Sequence, residues 1–214
     1  MKVFVVGANG QIGNHLVNFL HESDEHTVRA MVRKEDQAEK FKKTGVETAM
    51  ANLEGSVDDI AKAAEGCDAV VFTAGSGGHT GFDKTLLIDL DGAAKTIEAA
   101  EKAGIKRFIQ VSALQANKRE NWSEQIKPYF AAKHYADRYL EQSNLTYTII
   151  RPGGLVNDPG SGKVNVAESL NSGTVAREDV AKTIMLSLSE ENTYYKGFDL
   201  VSGENIIEEA LKTL

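Results

Sequence analysis

The first twenty residues constrain this chain more than any other stretch. Residues 3–6 are an apolar run, Val-Phe-Val-Val, and Gly7, Gly10 and Gly13 follow at three-residue spacing. Leu16, Val17, Phe19 and Leu20 then recur at helical intervals. A strand that enters a glycine turn and leaves it as a helix is suited to holding phosphate. Gly7 lets the chain turn sharply off the strand. Gly10 lets the backbone approach a pyrophosphate, and Gly13 lets the helix pack closely on the strand. The first N–H groups of the helix lack partners and carry partial positive charge. Asn9, Gln11 and Ile12 complete the turn, so the segment reads as the phosphate cradle of a dinucleotide. Alone, the glycines would also suit an unrelated α/β turn. The strand before them and the helix after them favour the nucleotide.

The rest of the chain alternates in the same way. Strands are expected at 27–32, 46–50, 69–73, 108–112, 147–150 and 198–201. Helices are expected at 35–43, 57–64, 85–103, 129–143, 179–188 and 206–211. Such alternation argues a parallel sheet with right-handed crossovers. The predicted fold is α/β: a single-domain Rossmann-type doubly wound parallel sheet flanked by helices, over residues 1–214. Polar loops at 115–127 and 154–173, the second read as mobile, would wall a small substrate pocket.

Composition excludes several functions. A formal charge of −7 without a basic block argues against nucleic acid. No apolar run is long enough to cross a membrane. The lone Cys67 rules out an internal disulfide and fits a reducing cytoplasm. His21 and His26 are five apart, so they do not share a helix face, and His15, His79 and His134 have no ligand spacing. No metal site is expected.

The ends of the predicted strands carry the chemistry. Where an NAD-binding unit places a carboxylate for the ribose 2′-hydroxyl, this chain has Arg33 and Lys34. Two cations there would attract a 2′-phosphate, favouring NADP over NAD, though solvated surface charges would read the same. Asn52, followed by Leu53, could bond an adenine amino group or serve as a turn residue. Thr73, Ala74 and Gly75 are small enough to let a cofactor pass over the sheet edge. Ser112 follows Val111 at the end of the fifth strand. Tyr129 and Lys133, four apart, share one helix face. An ammonium beside a phenol favours the phenolate, so Lys133 would lower the pKa of Tyr129. Ser112 could then orient a substrate carbonyl while Tyr129 moves the proton. An ordinary surface pair would show the same Tyr–Lys spacing.

Taken together, these residues resemble the short-chain dehydrogenase/reductase superfamily, in particular its atypical branch of NAD(P)-binding, NAD-dependent epimerase/dehydratase-like proteins. The likeness spans nearly the whole chain, from the glycine turn through Arg33, 73–75, 108–112, Tyr129 and Lys133 to Arg151-Pro152-Gly153 and 177–181. It implies Ser112, Tyr129 and Lys133 as the catalytic set, with Lys133 also on the nicotinamide ribose. It implies Pro152 and Gly153 against the nicotinamide. The superfamily's active-site asparagine falls at Asp89, and Asn52 stands in place of an adenine-contacting aspartate. Only some sixty residues follow position 154, short for a domain that would hold a nucleotide sugar. The expectation is a cytoplasmic NADP-dependent oxidoreductase, or an epimerase/dehydratase-like enzyme, acting on a small carbonyl, alcohol or sugar-like substrate. A non-catalytic NADP(H) redox sensor and a flavin- or pigment-type NADPH reductase are the alternatives.

Overall fold

The computed structural model describes residues 1–78 and 80–214; His79 lies outside the described residues. A nine-stranded sheet forms its centre. Its strands are β1 (Lys2–Val6), β2 (Thr27–Val32), β3 (Glu47–Met50), β4 (Ala69–Phe72), β5 (Arg107–Val111), β6 (Thr146–Pro152), β8 (Lys163–Ala167), β10 (Lys196–Ser202) and β11 (Asn205–Ile206). A separate parallel pair joins β7 (Gly154–Val156) to β9 (Thr174–Ala176). The order in the large sheet is β11-β8-β10-β6-β5-β4-β1-β2-β3. Pairing is parallel from β3 through to β10. The direction reverses only at β8, which runs antiparallel to both β10 and β11. The sheet is therefore mostly parallel, with a mixed edge the periodicity did not anticipate.

Both faces of the sheet are covered, and β1 shows how. Val3 and Val5 belong to one apolar cluster, with Leu16 and Leu20 of α1 (Gln11–His21) and Val180 and Ile184 of α7 (Arg177–Ser187). Phe4 and Val6 face the opposite cluster, with Ile60 of α3 (Val57–Ala64), Ile97 of α5 (Gly92–Lys102) and Leu140 of α6 (Lys127–Glu141). Successive side chains on a strand point to opposite faces. A strand buried on both sides must therefore be apolar throughout, as residues 3–6 are. Two shorter helices, α2 (Glu35–Lys42) and α8 (Ile207–Leu211), pack on the first face.

Two expected elements differ. The long helix expected over 85–103 is two pieces, a π-helical segment Thr85–Asp91 and α5, and a single turn α4 (Phe82–Lys84) leads into them. A wider turn of this kind is seldom used and is often found at functional sites. Here it contains Asp89, which is buried. The stretch 154–173, expected as a mobile loop, instead holds β7 and β8. Val164 of β8 is fully buried, whereas Lys163 and Asn165 on either side are exposed. This inside–outside alternation is the mark of a strand with one face covered. Among the described residues no helix is long and apolar enough to cross a membrane, and no group of His, Cys, Asp or Glu is placed to hold a metal.

Candidate active site

The chain order reverses between β1 and β4, and in open α/β sheets ligands bind at such a point, outside the carboxyl ends of the strands. Gly7 stands there with φ +87°, and a Cβ on it would lie 2.6 Å from the Ala74 amide nitrogen. Thr73 fixes the neighbouring strand end by donating its hydroxyl to the Val6 carbonyl at 3.0 Å. A Cβ on Gly13 would collide with the Gly7 carbonyl oxygen. These two glycines close the turn against its own backbone. Gly10 differs: its Cβ would meet only the Gly7 oxygen, at 3.1 Å. Gly10 caps α1, and Asn14 N–H donates to its carbonyl at 2.8 Å. The amides of Gln11, Ile12 and Gly13, in the first turn, precede that bond and are left for a ligand. Asn9, Gly10 and Gln11 line a cleft of about 510 Å³ that also reaches Asn157 and Arg177. A dinucleotide's pyrophosphate fits this cradle.

The adenosine end is less enclosed. Arg33 and Lys34 are exposed at the end of β2 and enter no ion pair among the described residues. The Arg33 amide donates to Gln37 Oε1 at 3.1 Å, which fixes the start of α2. Asn52 Oδ1 accepts the Glu54 N–H at 3.1 Å, the turn role foreseen as one of its two readings. Leu53 turns inward, and a Cβ on Gly92 would lie 3.2 Å from it. Leu53 can therefore meet a cofactor only through its backbone. On the other side, Pro152 is buried and Gly153 is bonded through its N–H to the Leu200 carbonyl at 2.9 Å.

Ser112, Tyr129, Lys133 and Asp89 are brought together, but not in the arrangement expected. Lys133 donates to the Val111 carbonyl at 2.7 Å, and its ammonium lies 3.9 Å from Asp89 Oδ1. Asp89 Oδ2 accepts the Ser76 N–H at 3.0 Å. Tyr129 is half-buried, and among the described residues its hydroxyl has no hydrogen-bond partner. Burial, and then the carboxylates of Asp89 and Asp137, push its pKa above the ordinary phenol value. The expected lowering by Lys133 is thus reversed. The ammonium is committed to a carbonyl and a carboxylate, and the charges that act on the phenol are negative. A neutral phenol in this position is an acid rather than a base.

The sequence reading missed Asp137. It is fully buried on α6, one turn beyond Lys133 and two beyond Tyr129, on the same face. Ser112 Oγ donates to Asp137 Oδ2 at 2.8 Å, and Gln110 Nε2 donates to Oδ1 at 2.7 Å. Arg151 Nε lies 3.4 Å from Oδ2, with both side chains almost wholly enclosed. Burial raises the Asp137 carboxyl pKa, while Arg151, Ser112, Lys133 and Gln110 oppose the rise. All three direct donors address the ionised form. The Tyr–Lys spacing, extended by one more helical turn, would have pointed to Asp137.

The two loops expected to wall a pocket do meet. Gln115 bonds the Leu170 carbonyl, and Lys118 Nζ bonds Ser169 Oγ. Asp199 Oδ2 accepts the Leu170 N–H at 2.9 Å from below. Gln115 holds φ +58°, which is costly for a side-chain-bearing residue.

The NAD(P)H-binding family profile matches residues 7–191. The chain belongs to this family. A Bacillus subtilis protein called an uncharacterized sugar epimerase is 62% identical, with each chain covered in full. Among solved structures, a Bacillus halodurans protein has a TM-score of 0.94 and 41% identity, again with full coverage of both chains; NAD-dependent epimerase/dehydratase is the assignment suggested for it. ChuY of Escherichia coli O157:H7, an anaerobilin reductase, has a TM-score of 0.80 and 27% identity over 94% of this chain and 97% of its own. The NAD(P)-binding, mostly parallel Rossmann-type fold inferred from the sequence stands, as does the resemblance to epimerase/dehydratase-like and short-chain reductase proteins.

Proposed function

We propose that this protein is an NADP(H)-dependent reductase of small carbonyl-bearing substrates, with Tyr129 as its proton donor. The observation that carries the reading is the setting of Tyr129. The phenol is protonated, its pKa raised first by burial and then by Asp89 and Asp137, its hydroxyl has no partner among the described residues, and Lys133 is bonded elsewhere. Reduction of a carbonyl adds a hydride to carbon and a proton to oxygen. Bound reduced nicotinamide supplies the hydride. Tyr129 supplies the proton and, being only half-buried, takes its replacement from solvent. Lys133 and the Val111 carbonyl would hold the nicotinamide ribose, and Pro152 and Gly153 would back the ring.

Arg33 and Lys34, exposed and unpaired among the described residues, favour the 2′-phosphate of NADP over NAD. The likeness to an anaerobilin reductase supports the reductive direction. The single buried Cys67 fits a reducing, cytoplasmic setting. The test is NADPH oxidation against a panel of aldehydes, ketones and quinones. Tyr129→Phe is expected to lower turnover about 10²–10⁴-fold, the usual worth of a positioned acid. NADPH affinity should stay near that of the wild type. Undiminished turnover in Tyr129→Phe would remove Tyr129 from the reaction.

A further inference from the structure

The Ser112 hydroxyl has one proton, and its side-chain partner among the described residues is the Asp137 carboxyl. The proton is donated to Asp137 Oδ2 at 2.8 Å, at a site where Ser112 is 3% exposed. The acceptor is itself fixed. Gln110 holds its other oxygen at 2.7 Å, and Arg151 lies 3.4 Å from the same oxygen that Ser112 uses. A hydrogen bond to an ionised carboxylate is about twice as strong as a neutral one. Turning the Ser112 proton toward a substrate would break that bond and strip a buried carboxylate of a donor. What Ser112 has left to offer a substrate is its lone pairs.

We propose that Asp137 is a positioning residue that makes the Ser112 hydroxyl an acceptor toward the pocket, so that the site selects substrates carrying an O–H or N–H beside the group to be reduced. The inference rests on the proposed reductase reading with Tyr129 as proton donor, and adds Ser112 as a second group that meets the substrate. The two form a complementary pair. Tyr129 donates to the reducible oxygen, and Ser112 accepts from the neighbouring donor. An α-hydroxy ketone satisfies both. A simple ketone leaves the Ser112 lone pairs without a partner, and an α-methoxy ketone sets one acceptor against another.

The test uses 2-hydroxyacetophenone and 2-methoxyacetophenone with the full-length protein. Two quantities are measured: kcat/KM with NADPH, and binding to the NADP⁺ complex by calorimetry, which needs no turnover. The wild type should prefer the hydroxy ketone by about tenfold or more in either measurement, the usual effect of an unpaired buried polar group. Ser112→Ala should bring the ratio to about one. Asp137→Asn, which removes the charge that holds the Ser112 proton, should shrink the ratio. A purely structural role would lower both substrates together and leave the ratio unchanged. If Asp137→Asn does not fold, the Ser112→Ala ratio decides. Preferential binding without turnover would support the positioning role while refuting the reductase. Turnover with equal preference, a preference that survives Ser112→Ala, or binding of neither ketone would overturn the proposal.

Discussion

Tyr129 is where residue type and residue chemistry part. Its spacing from Lys133 was legible, but its raised pKa comes first from burial and then from Asp89 and Asp137, which lie on a π-helical segment and two turns further along α6. Because its pKa is raised, Tyr129 remains an acid above pH ~10, where a free phenol titrates. Reduction should accordingly show no loss of rate assignable to Tyr129 between pH 8 and 10, measured as kcat for any accepted carbonyl against pH. Asp199 offers a second pH test, this time of stability. Its carboxyl is fully buried, burial raises its pKa, and one of its oxygens has no partner among the described residues. The unfolded chain releases this proton near pH ~3.9 and the folded chain only at higher pH. The folded state is therefore penalised as pH rises through that window, and the penalty persists above it. Asp199→Asn should raise Tm at pH 7 relative to wild type, and the gain should fade as pH falls toward the unfolded value. A gain that is the same at pH 3.5 and 7 would refute this. The cofactor arm can be checked residue by residue as well. Arg33→Ser should weaken NADPH binding about ten- to a hundredfold by calorimetry and leave NADH binding as it was.

Among the elements, the glycine turn was the most readable and the π-helical segment the least. The turn could be read because backbone clashes leave glycine as the only choice. Gly7 and Gly13 each abut backbone atoms, while Gly10 faces the cleft. Valine at these three positions should therefore act differently. Gly7→Val and Gly13→Val should destabilise the fold itself, measured as a lower Tm. Gly10→Val should retain a native circular dichroism spectrum and lose NADPH binding. The π-helical segment carries no comparable sequence mark. Residues 85–103 have the apolar spacing of one helix, and the wider turn places Asp89 against the Ser76 amide and near Lys133, contacts that periodicity does not report. For β8 the difficulty was the reverse. Gly, Asn, Ser and Pro around it signal loops, and a five-residue strand supported by β10 on one side and β11 on the other has too short a period to stand out from them.

For the molecule as a whole, Arg107 joins parts that are distant in the chain. From β5 it donates to the Thr146 carbonyl at 2.8 Å, to the Ser187 and Leu188 carbonyls at the end of α7, and to Thr148 Oγ1, and it stacks over the Tyr194 ring. Its burial lowers its pKa to about 10, still above neutral pH, so it stays charged there. Arg107→Met would leave several buried carbonyls without a donor, at roughly 1–3 kcal/mol each where water cannot replace it. The expected outcome is a large fall in Tm with cofactor affinity per folded molecule unchanged. The alternating architecture was legible because each strand and each helix must bury a face. The mixed edge was not, because strand direction at a sheet border leaves no trace in periodicity. That edge has a bearing on how such a chain can diversify. The stretches 157–162 and 168–173 are six-residue spans whose two ends are anchored in β7, β8 and β9. A connector pinned at both ends can double in length for only about 0.6 kcal/mol of closure entropy. The 157–162 span borders the cleft at the glycine turn through Asn157, so lengthening it would recast that rim, while 168–173 can be lengthened without touching the turn.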